Sequence, residues 1–274
     1  MIVYNKALLR IGEVWFDEEV DTTPVDVVYY YYCRQPAGDM FYREFYTMCV
    51  DLNQDQDSLL GNMKKYTQYE IRRAASKDGL LYEYWGANCQ EVLSQYIEFY
   101  DKFASQTALL PADRARLNLL ASNGVLEISR VREPEGNPLV WHVFLRGKER
   151  VQLLSSPSLF RSSTDSNYRN LVGRANRYHH WQDMLRFKGA GLSTYGLGVW
   201  YAGNTNRTYL NINRFKEEFG GQVSKRFECK RAITPKGKLA LHIQKLLKRN
   251  LNGSAKAFLL GYIITGNHFL EPLI

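Results

Sequence analysis

The chain has 274 residues, 45% hydrophobic and 23% charged, a balance typical of a globular protein and unlike that of a disordered or fibrous chain. This length suffices for one large domain or two small ones. No basic-then-apolar leader follows Met1, and the apolar run AFLLGYII (Ala257–Ile264) is too short to cross a bilayer. We therefore expect a cytoplasmic protein without a membrane span.

The net charge of +8 is concentrated towards the C-terminus. Between Gln222 and Lys256 the sequence has ten lysines and arginines and one acid, Glu228, so this stretch carries +9 and the remainder about −1. A basic surface attracts polyanions such as a phosphorylated cofactor, an RNA or an acidic carrier protein. A solvated surface without a partner is the alternative interpretation.

The four cysteines are scattered, at Cys33, Cys49, Cys89 and Cys229. None forms a CxxC motif or lies at metal-ligand spacing from a histidine. We therefore expect reduced, mostly buried thiols and no metal site.

Three strands and a helix are predicted in the first eighty residues. The strands are ALLRIGEVWF, VDVVYYYYCRQ and REFYTMCVDL. The helix DQDSLLGNMKKYTQYEIRRAASKDG is capped by Asp55 or Asp57 and broken near Lys65–Thr67. The four tyrosines of VVYYYYCRQ put two rings on each face, which favours a two-sided, half-buried strand over an aromatic acceptor pocket or a base-stacking surface.

From Leu80 onward strands and helices follow in a defined order. LLYEYWG is a strand, and CQEVLSQYIEFYDKFASQ is an amphipathic helix with Val92, Tyr96, Phe99 and Phe103 on one stripe. PADRARLNLLAS is a second helix. VLEISRVRE and PLVWHVFLRG form a hairpin, and ERVQLLSS is the third consecutive strand.

A Ser-rich loop precedes the long helix YRNLVGRANRYHHWQDMLRFKGAG, whose predicted apolar stripe is Leu171, Ala175, Tyr178, Trp181 and Leu185. The strand LSTYGLGVW, the helix NRFKEEFGG and the basic strand QVSKRFECKR follow. The helices PKGKLALHIQKLLKRN and SAKAFLLGYIITG close the chain.

The helix end and the basic strand have their own signals. Gly220 and Gly221 suit a helix C-terminus, where one residue takes a left-handed conformation. Alternation then puts one set of basic-strand side chains on a buried face: Val223, Phe227 and Cys229. It puts the other set on the opposite face: Ser224, Arg226, Glu228 and Lys230.

This element order from Leu80 to Arg231 resembles the GCN5-related N-acetyltransferase (GNAT) fold. The segments GRANRYHHWQDMLRFKGAGLSTYGLG, NRFKEEFGG and KKYTQYEIRRA resemble the Fem-type peptidoglycan-bridge aminoacyltransferases and their soluble acyltransferase relatives. Tyr195-Gly196-Leu197-Gly198 stands where that branch carries Tyr-Asp-x-Gly-Gly, so an acidic residue is missing here.

The resemblance implies an α/β fold with a mixed, mostly antiparallel sheet and helices on both faces. Two adjacent parallel strands, ERVQLLSS and LSTYGLG, are expected to splay apart and to leave backbone groups that an acyl donor pairs with. It further implies a core at residues 80–231. Residues 1–79 are interpreted as N-terminal strands and a helix, a degenerate half of the fold, and residues 232–274 as C-terminal helices.

The resemblance also implies site residues. Lys216 is expected to aid the donor; a surface lysine beside Glu217 and Glu218 is the alternative. Tyr195 and Tyr209 are expected to relay a proton near the gap, as is Tyr201, and plain packing is the alternative. The segment NLVGRA echoes a phosphate loop, which assigns donor binding to Asn170, Gly173 and Arg174. Arg161 and Arg169 lie near enough in sequence to help bind the donor. A close helix contact is the other interpretation of Gly173.

Charge assigns carrier binding to two patches: Lys225, Arg226, Lys230 and Arg231, and Lys64, Lys65, Arg72 and Arg73. His179 and His180 are adjacent, so on a helix they point about 100° apart and cannot chelate one ion together. His142 is expected to be structural.

Two functions are compatible with these features. The first is an N-acyltransferase that makes an amide from a small-molecule amine acceptor and a donor on aminoacyl-tRNA, an acyl carrier protein or acyl-CoA, with no bound cofactor. The second is a catalytically inactive GNAT-like module that binds RNA or another partner.

Overall fold

The structure is a computed structural model that describes residues 1–20, 23–36, 38–86, 88–107 and 109–250. The strands are β1 (Ile2–Lys6), β2 (Leu9–Trp15), β3 (Val27–Cys33), β4 (Phe41–Asp51), β5 (Leu81–Trp85), β6 (Leu126–Arg132), β7 (Pro138–Arg146), β8 (Arg150–Ser155), β9 (Thr194–Trp200) and β10 (Gln222–Ala232). The α-helices are α1 (Gln56–Gly61), α2 (Lys65–Ser76), α3 (Gln90–Thr107), α4 (Arg114–Ser122), α5 (Ser166–Gly189), α6 (Arg207–Glu217) and α7 (Pro235–Asn250).

The chain divides into two compact units. The first takes Met1–Tyr46 and, from Ser224 onward, the C-terminal part of the described chain; the second is Thr47–Val223. Strand order is β1-β2-β3-β10-β4 in the first unit and β4-β9-β8-β7-β6-β5 in the second. The predicted boundaries at residues 79/80 and 231/232 stay predictions.

The second unit has the predicted mixed sheet with helices on both faces. Strands β5 to β8 pair antiparallel with their neighbours, and β8 pairs parallel with β9. Trp141 of β7 contacts Tyr96 and Phe99 of α3, whereas the next residue, His142, stacks on His179 of α5. Because successive strand side chains point to opposite faces, α3 and α5 cover opposite sides of the sheet.

The apolar stripe predicted for α3 is confirmed, since all four of its residues are buried. On α5 the buried face differs from the predicted stripe. Ala175 and Trp181 are buried as expected, whereas Leu171, Tyr178 and Leu185 are only half-buried. Polar residues are buried as well: Arg174, His179, His180 and Asp183. Buried polar groups require partners, and these partners define much of the site described below.

The first unit holds the tyrosine-rich strand. β2 and β3 pair parallel, and β3 and β10 pair antiparallel with a register shift between Phe227 and Cys229. The predicted alternation of β10 fails at two points: Val223, predicted on the buried face, is exposed, and the bulge changes the pattern after Phe227. Glu228, predicted on the face opposite Cys229, is buried beside it and accepts from Arg43 at 3.0 Å. Six of the seven β3 residues are buried, so this strand is more than half-buried.

Two local predictions differ from the structure. β1 was not predicted, because its short segment IVYNK shows little alternation. The helical break lies at Asn62–Lys64, three residues before the predicted position, with Asp55 as the N-cap of α1. The closing segment SAKAFLLGYIITG lies outside the described residues. A search of the described helices finds none long and apolar enough to cross a membrane.

Candidate active site

The parallel strands β8 and β9 separate partway along their length. They pair at Arg150↔Thr194, Val151↔Tyr195 and Gln152↔Gly196. Pairing then ends, although β8 continues to Ser155 and β9 to Trp200, and both strands are described throughout. Gly198 has a φ of 91°, a backbone conformation that side-chain-bearing residues rarely adopt. The predicted opening in the sheet is confirmed, and we call it the fork.

Two side chains donate to backbone carbonyls that lie beyond the last pair of β8 and β9. Gln152, fully buried, donates from Nε2 to the carbonyl of Leu153 at 3.3 Å. Lys216 donates from Nζ to the carbonyl of Val199 at 2.5 Å. The fork is thus closed on both strands by flexible side chains, which a bound ligand can replace as hydrogen-bonding partners.

Gln152 also carries an unused acceptor. Its Oε1 is buried and has no hydrogen-bond partner among the described residues. A Cβ on Gly196 would lie 2.2 Å from this oxygen, so only glycine leaves room for the amide there. A buried amide oxygen without a donor costs on the order of 1–3 kcal/mol. An N–H group brought within hydrogen-bonding distance of Oε1 would recover that cost.

Lys216 is the ionisable group at the fork. It lies in the last turn of α6, where helix carbonyls attract cations. The residue is half-buried, and burial lowers the pKa of Lys216 to about 8. At neutral pH it is mainly an ammonium donor, with a substantial neutral fraction at slightly higher pH. The alternative, a surface lysine beside Glu217 and Glu218, would leave Lys216 exposed, whereas it is half-buried.

The glycine pair after α6 is explained by close approach of other segments. Gly220 has a φ of 71°, and a Cβ there would lie 2.7 Å from the carbonyl oxygen of Asn62. A Cβ on Gly221 would lie 2.9 Å from Met48 Cγ and 3.0 Å from the carbonyl oxygen of Cys49. The predicted left-handed residue is Gly220, and both positions exclude a side chain.

Glu218 ties this helix end to two other helices. Its carboxylate accepts from Arg177 Nε and Nη2 at 2.7 and 3.0 Å and from Thr67 Oγ1 at 2.9 Å. Its backbone carbonyl accepts from the Lys64 amide at 2.9 Å. The turn that carries Lys216 is therefore held by both α2 and α5. Such support limits the movement of the Lys216 side chain.

Tyr195 lies beneath the paired part of the fork and not in the opening. It is fully buried, its hydroxyl is 2.8 Å from His180 Nδ1, and burial raises the pKa of Tyr195 well above its usual value. The His180 ring packs on Phe215 and Phe219, which flank Lys216 in sequence. Burial and the nearby cations lower the pKa of His180 well below its usual value. A catalytic role for Tyr195 stays a prediction.

A buried polar cluster continues from this point into the core. Asp183 accepts from Tyr82 at 2.9 Å, from Ser129 at 2.7 Å and from His142 Nδ1 at 2.6 Å. Because Ser129 gives its proton to Asp183, its oxygen accepts from His179 Nε2 at 2.8 Å. Burial raises the pKa of Asp183, and these hydrogen bonds oppose the rise.

This cluster does not have the geometry of a metal centre. His142, His179 and Asp183 offer ligand atoms within 4.8 Å of one another. The two imidazoles are stacked, however, with centroids 3.7 Å apart and planes within 1°. Metal-binding lone pairs lie in the ring plane, so an ion between the rings would lie outside both planes. We interpret the cluster as a hydrogen-bonded core network.

Tyr209 and Tyr201 lie together near the end of β9. Their ring centroids are 5.2 Å apart, and the backbone of Tyr201 is held by both amide atoms of Asn213, at 3.1 and 2.8 Å. Tyr209 is half-buried on the first turn of α6. This contact gives Tyr209 a packing partner, and its catalytic role stays a prediction.

The predicted donor-binding residues occupy different environments. Arg161 is exposed on a 3-10 turn, and Arg169 and Asn170 are exposed on α5. Arg174 is buried and bonds to Asp78 at 2.6 and 3.3 Å. A Cβ on Gly173 would meet only Arg177 Nη1, at an ordinary 3.5 Å, so no close helix contact requires this glycine.

The helix start bears on the same prediction. α5 begins at Ser166, and its N-cap Asp165 already accepts from the amides of Asn167 and Tyr168. A carboxylate therefore occupies the place that a phosphate would take, and the NLVGRA segment starts a turn further on. Donor binding by this set stays a prediction.

The predicted carrier-binding residues form two groups, one in each unit. In the second unit Lys64, Lys65 and Arg72 are exposed along α2, while Arg73 is half-buried and lies 3.9 Å from Asp78. In the first unit the four are partly engaged: Lys225 with Glu44 at 3.0 Å, Arg226 with the carbonyl of Lys225, Lys230 over the Tyr29 ring, and Arg231 with Tyr30. Their role in carrier binding stays a prediction.

Sequence reasoning missed three residues of this region. These residues are Gln152 on a strand, Glu218 at a helix end and Asp183 on a helix. The residues next to them in sequence form no motif that would single them out. A sequence pattern could have identified Asp183. His179 and Asp183 are four residues apart, so they share one face of the helix that carries the predicted apolar stripe. Polar residues at core positions indicate a network.

A mixed sheet that opens between two parallel strands and is covered by helices on both faces defines a GNAT-like fold. Within this class the chain is similar in structure to FemX, with a TM-score of 0.55 and 14% identity over 71% of this chain. The predicted Fem-like resemblance is confirmed at the level of the fold. The match spans 63% of the FemX chain, which is less than two thirds of it.

Two further structures match with lower TM-scores. The C-terminal domain of a putative lysylphosphatidylglycerol synthetase from Agrobacterium fabrum has a TM-score of 0.49 at 14% identity and covers 83% of this chain and 75% of its own. The structure of L-PGS from Bacillus licheniformis has a TM-score of 0.48 at 11% identity and covers 81% and 74%. Comparison with protein-family models and with curated protein sequences finds no match.

Proposed function

We propose that this protein is an N-acyltransferase that forms an amide from an amine and an activated acyl or aminoacyl ester or thioester. The observation that carries the proposal is the fork, with Lys216 at its opening. The backbone carbonyls of Leu153 and Val199 accept from the side chains of Gln152 and Lys216 there, and they suit an extended donor with its own N–H groups. The FemX-like fold supports the same class of reaction.

The reaction needs three events at one carbonyl. The amine nitrogen attacks the carbonyl carbon, the C–N bond forms, and the carbonyl oxygen gains negative charge. The C–O or C–S bond then breaks, the carrier leaves with the electron pair and takes up a proton, and the ammonium of the acceptor loses one. Lys216 is suited to donate a hydrogen bond to the developing oxyanion, which is usually the largest catalytic effect in acyl transfer.

Lys216 can take this role if its hydrogen bond to the Val199 carbonyl is replaced by one to the donor carbonyl. Its ammonium has three N–H groups, and Nζ is directed at the Val199 carbonyl at the edge of the fork. A donor carbonyl placed beside Gly198 would lie within reach, because a Cβ on Gly198 would be 3.5 Å from Nζ. Since its pKa is about 8, Lys216 also exchanges protons readily near neutral pH.

The charge distribution supports an anionic carrier for the donor. Aminoacyl-tRNA, an acyl carrier protein and acyl-CoA all carry phosphate or carboxylate groups, and α2 presents Lys64, Lys65 and Arg72 to solvent. α2 is also tied to the Lys216 turn through Glu218. Because these carriers are cytoplasmic molecules, we place the reaction in the cytoplasm, with a small-molecule amine as acceptor.

The test is donor consumption by the purified protein. It is incubated with charged tRNA, acyl-CoA and acyl carrier pools plus mixed amines, and hydrolysis and transfer are followed by mass spectrometry. Lys216→Ala should lower transfer by about 100-fold or more. Lys102→Ala, an exposed lysine on α3, is the matched control and should retain activity.

The second candidate function makes a different prediction in the same assay. If no donor is consumed and the protein binds RNA tightly with a steep loss of affinity as salt rises, the non-catalytic binding module is the better description. A carrier-protein partner would lose affinity more gently with salt, mostly through its association rate.

A further inference from the structure

Helix α7 has one buried side and an apolar stripe on its opposite side. Gly237, Leu241 and Gln244 are buried in the first unit, and a Cβ on Gly237 would lie 2.1 Å from the carbonyl oxygen of Asp26. The helix therefore packs closely through this side. Positions 237, 241 and 244 fall within about 60° of one another on a helical projection.

The exposed stripe consists of three large apolar side chains. Leu239 is 62% exposed, Ile243 43% and Leu246 45%. Their spacing of four and three residues lines them up on one face, roughly 180° from the buried side. Isolated exposed apolar residues are common on proteins, but three in register on one helix form a continuous patch.

Cations flank this stripe and no acid interrupts it. The α7 sequence PKGKLALHIQKLLKRN contains five lysines and arginines and no aspartate or glutamate. Lys238 and Lys245 are exposed on one flank and Lys236 on the other. Lys236 lies 3.5 Å from Asp26, and Lys245 lies 5.6 Å from the Phe41 ring centroid, so both stems lie along the protein surface with their charge near solvent.

We propose that α7 binds the surface of an anionic lipid bilayer, lying in the plane of the interface. An amphipathic helix with an apolar face and lysines along its borders matches the two layers of that interface, acyl chains below and phosphate headgroups above. The stripe inserts at the headgroup boundary, and the lysines contact the phosphates. This inference does not depend on the proposed acyl transfer.

The alternatives fit the observations less well. A second copy of the chain would bring two sets of the flanking lysines Lys236, Lys238 and Lys245 together across the stripe, which like-charge repulsion opposes. An RNA would satisfy the cations but leave the apolar side chains in water. Only a surface that is apolar beneath and anionic above accounts for both features of the same helix.

The experiment is co-sedimentation of the full chain with vesicles. Vesicles of phosphatidylcholine alone are compared with vesicles that contain about 30% phosphatidylglycerol. We expect binding to the anionic vesicles that weakens as salt rises. Lys238→Gln with Lys245→Gln should lower the partition coefficient by about 25-fold, at about fivefold for each charge.

The stripe is tested separately. Leu239→Gln with Ile243→Gln should lower binding by about tenfold or more while leaving the charge unchanged. Leu110→Gln with Lys102→Gln removes an equally exposed leucine and lysine elsewhere and should leave binding within about twofold. Circular dichroism verifies that each variant is folded. In Leu246→Trp, anionic vesicles should shift the added fluorescence to shorter wavelength.

Three results would overturn the proposal. The wild-type protein could fail to bind anionic vesicles. The stripe variants could bind as well as wild type, which would reduce the contact to charge alone and favour a polyanion such as RNA. The wild-type protein could be a dimer that the stripe variants convert to monomers, which would make the stripe a subunit interface.

Discussion

Lys216 donates a hydrogen bond from Nζ to the backbone carbonyl of Val199, at 2.5 Å, one residue beyond Gly198. This carbonyl lies beyond Gly196, the last residue of β9 that pairs with β8. A lysine on the next helix donates to it. The interaction explains why an ammonium is held half-buried at the end of α6, and it makes the protonation state of Lys216 central to the predictions for this site.

The pH dependence of transfer should follow the charge of Lys216. Because burial lowers its pKa to about 8, the ammonium is lost as pH rises through that value, and an oxyanion donor is lost with it. In Lys216→Arg the charge persists across this range. The ratio of wild-type to Lys216→Arg kcat/KM, measured from about pH 6 to 10, should therefore fall above about pH 8.

The opposite trend would change the role assigned to this residue. A ratio that rises through about pH 8 would identify the neutral amine of Lys216 as the active form, acting as a general base. A ratio independent of pH would remove Lys216 from the charge-dependent step. Using the ratio cancels the titration of the acceptor amine, which both proteins share.

The Glu218 contacts should contribute measurably to stability. Glu218 and Arg177 have side chains only 17% and 15% exposed, and Glu218→Gln keeps the size while removing the charge. The free energy of unfolding should fall by about 1–3 kcal/mol, because Arg177 loses its partner in a poorly solvated site. Urea unfolding measures this change.

The neighbouring acid provides the control. Glu217 is exposed, and Glu217→Gln should change the free energy of unfolding by less than about 0.5 kcal/mol. A double-mutant cycle of Glu218→Gln with Arg177→Met should give a coupling of about 0.5–3 kcal/mol. Additive effects would mean that the two residues stabilise the protein independently.

Alanine substitutions at two glycines should differ in their effect on stability, one at the end of α6 and one at the end of α1. Gly220→Ala forces a side chain into a left-handed backbone and to within 2.7 Å of the Asn62 carbonyl oxygen, so we expect a loss of about 1–3 kcal/mol in the free energy of unfolding. Gly61→Ala meets no atom within 4 Å and should leave stability unchanged or raise it by about 0.5 kcal/mol. Equal effects in thermal unfolding would contradict the close approach.

Acid should destabilise the protein through its buried histidines. Burial lowers the pKa of His179 and His180 well below 6.5, so both stay neutral in the native state while the unfolded chain takes up protons below about pH 6.5. Stability from this source is present above that value and is lost as pH falls. Two such groups should cost about 2–3 kcal/mol between pH 7.5 and 5.5.

A variant isolates this effect from other titrations. His180→Asn should reduce the slope of unfolding free energy against pH by about one proton below pH 6.5, whatever its effect on stability at neutral pH. Urea unfolding at several pH values supplies the slopes. An unchanged slope would mean that His180 is protonated in the native state.

Local patterns predicted most of the elements and their order. The α3 stripe followed from 3.6-residue periodicity, the helix end at Gly220 from the glycine pair, and the parallel arrangement of β8 and β9 from the resemblance. β10 was less well predicted. A bulge inserts Glu228 beside Cys229 on the buried side, and no local sequence signal marks where a ladder shifts its register.

The site itself was predicted only in part. Lys216 was singled out by its motif, but its hydrogen bond to Val199 depends on a strand that ends pairing earlier than its length suggests. Arg174 was predicted to bind phosphate because of its neighbours in sequence. Its actual partner, Asp78, is 96 residues away in the chain. Spacing along one helix carries no information about such partners.

The amino-acid sequence by itself determined most of the helices, the glycine turn after α6 and the basic character of α7, because each depends on residues that are close together in the chain. The tertiary structure alone decided which polar groups meet: Gln152 with Leu153 at the fork, Glu218 with Arg177, and Asp183 with three donors from three strands. Burial changes the pKa and the hydrogen-bonding demands of a side chain, and burial exists only once distant segments have packed together.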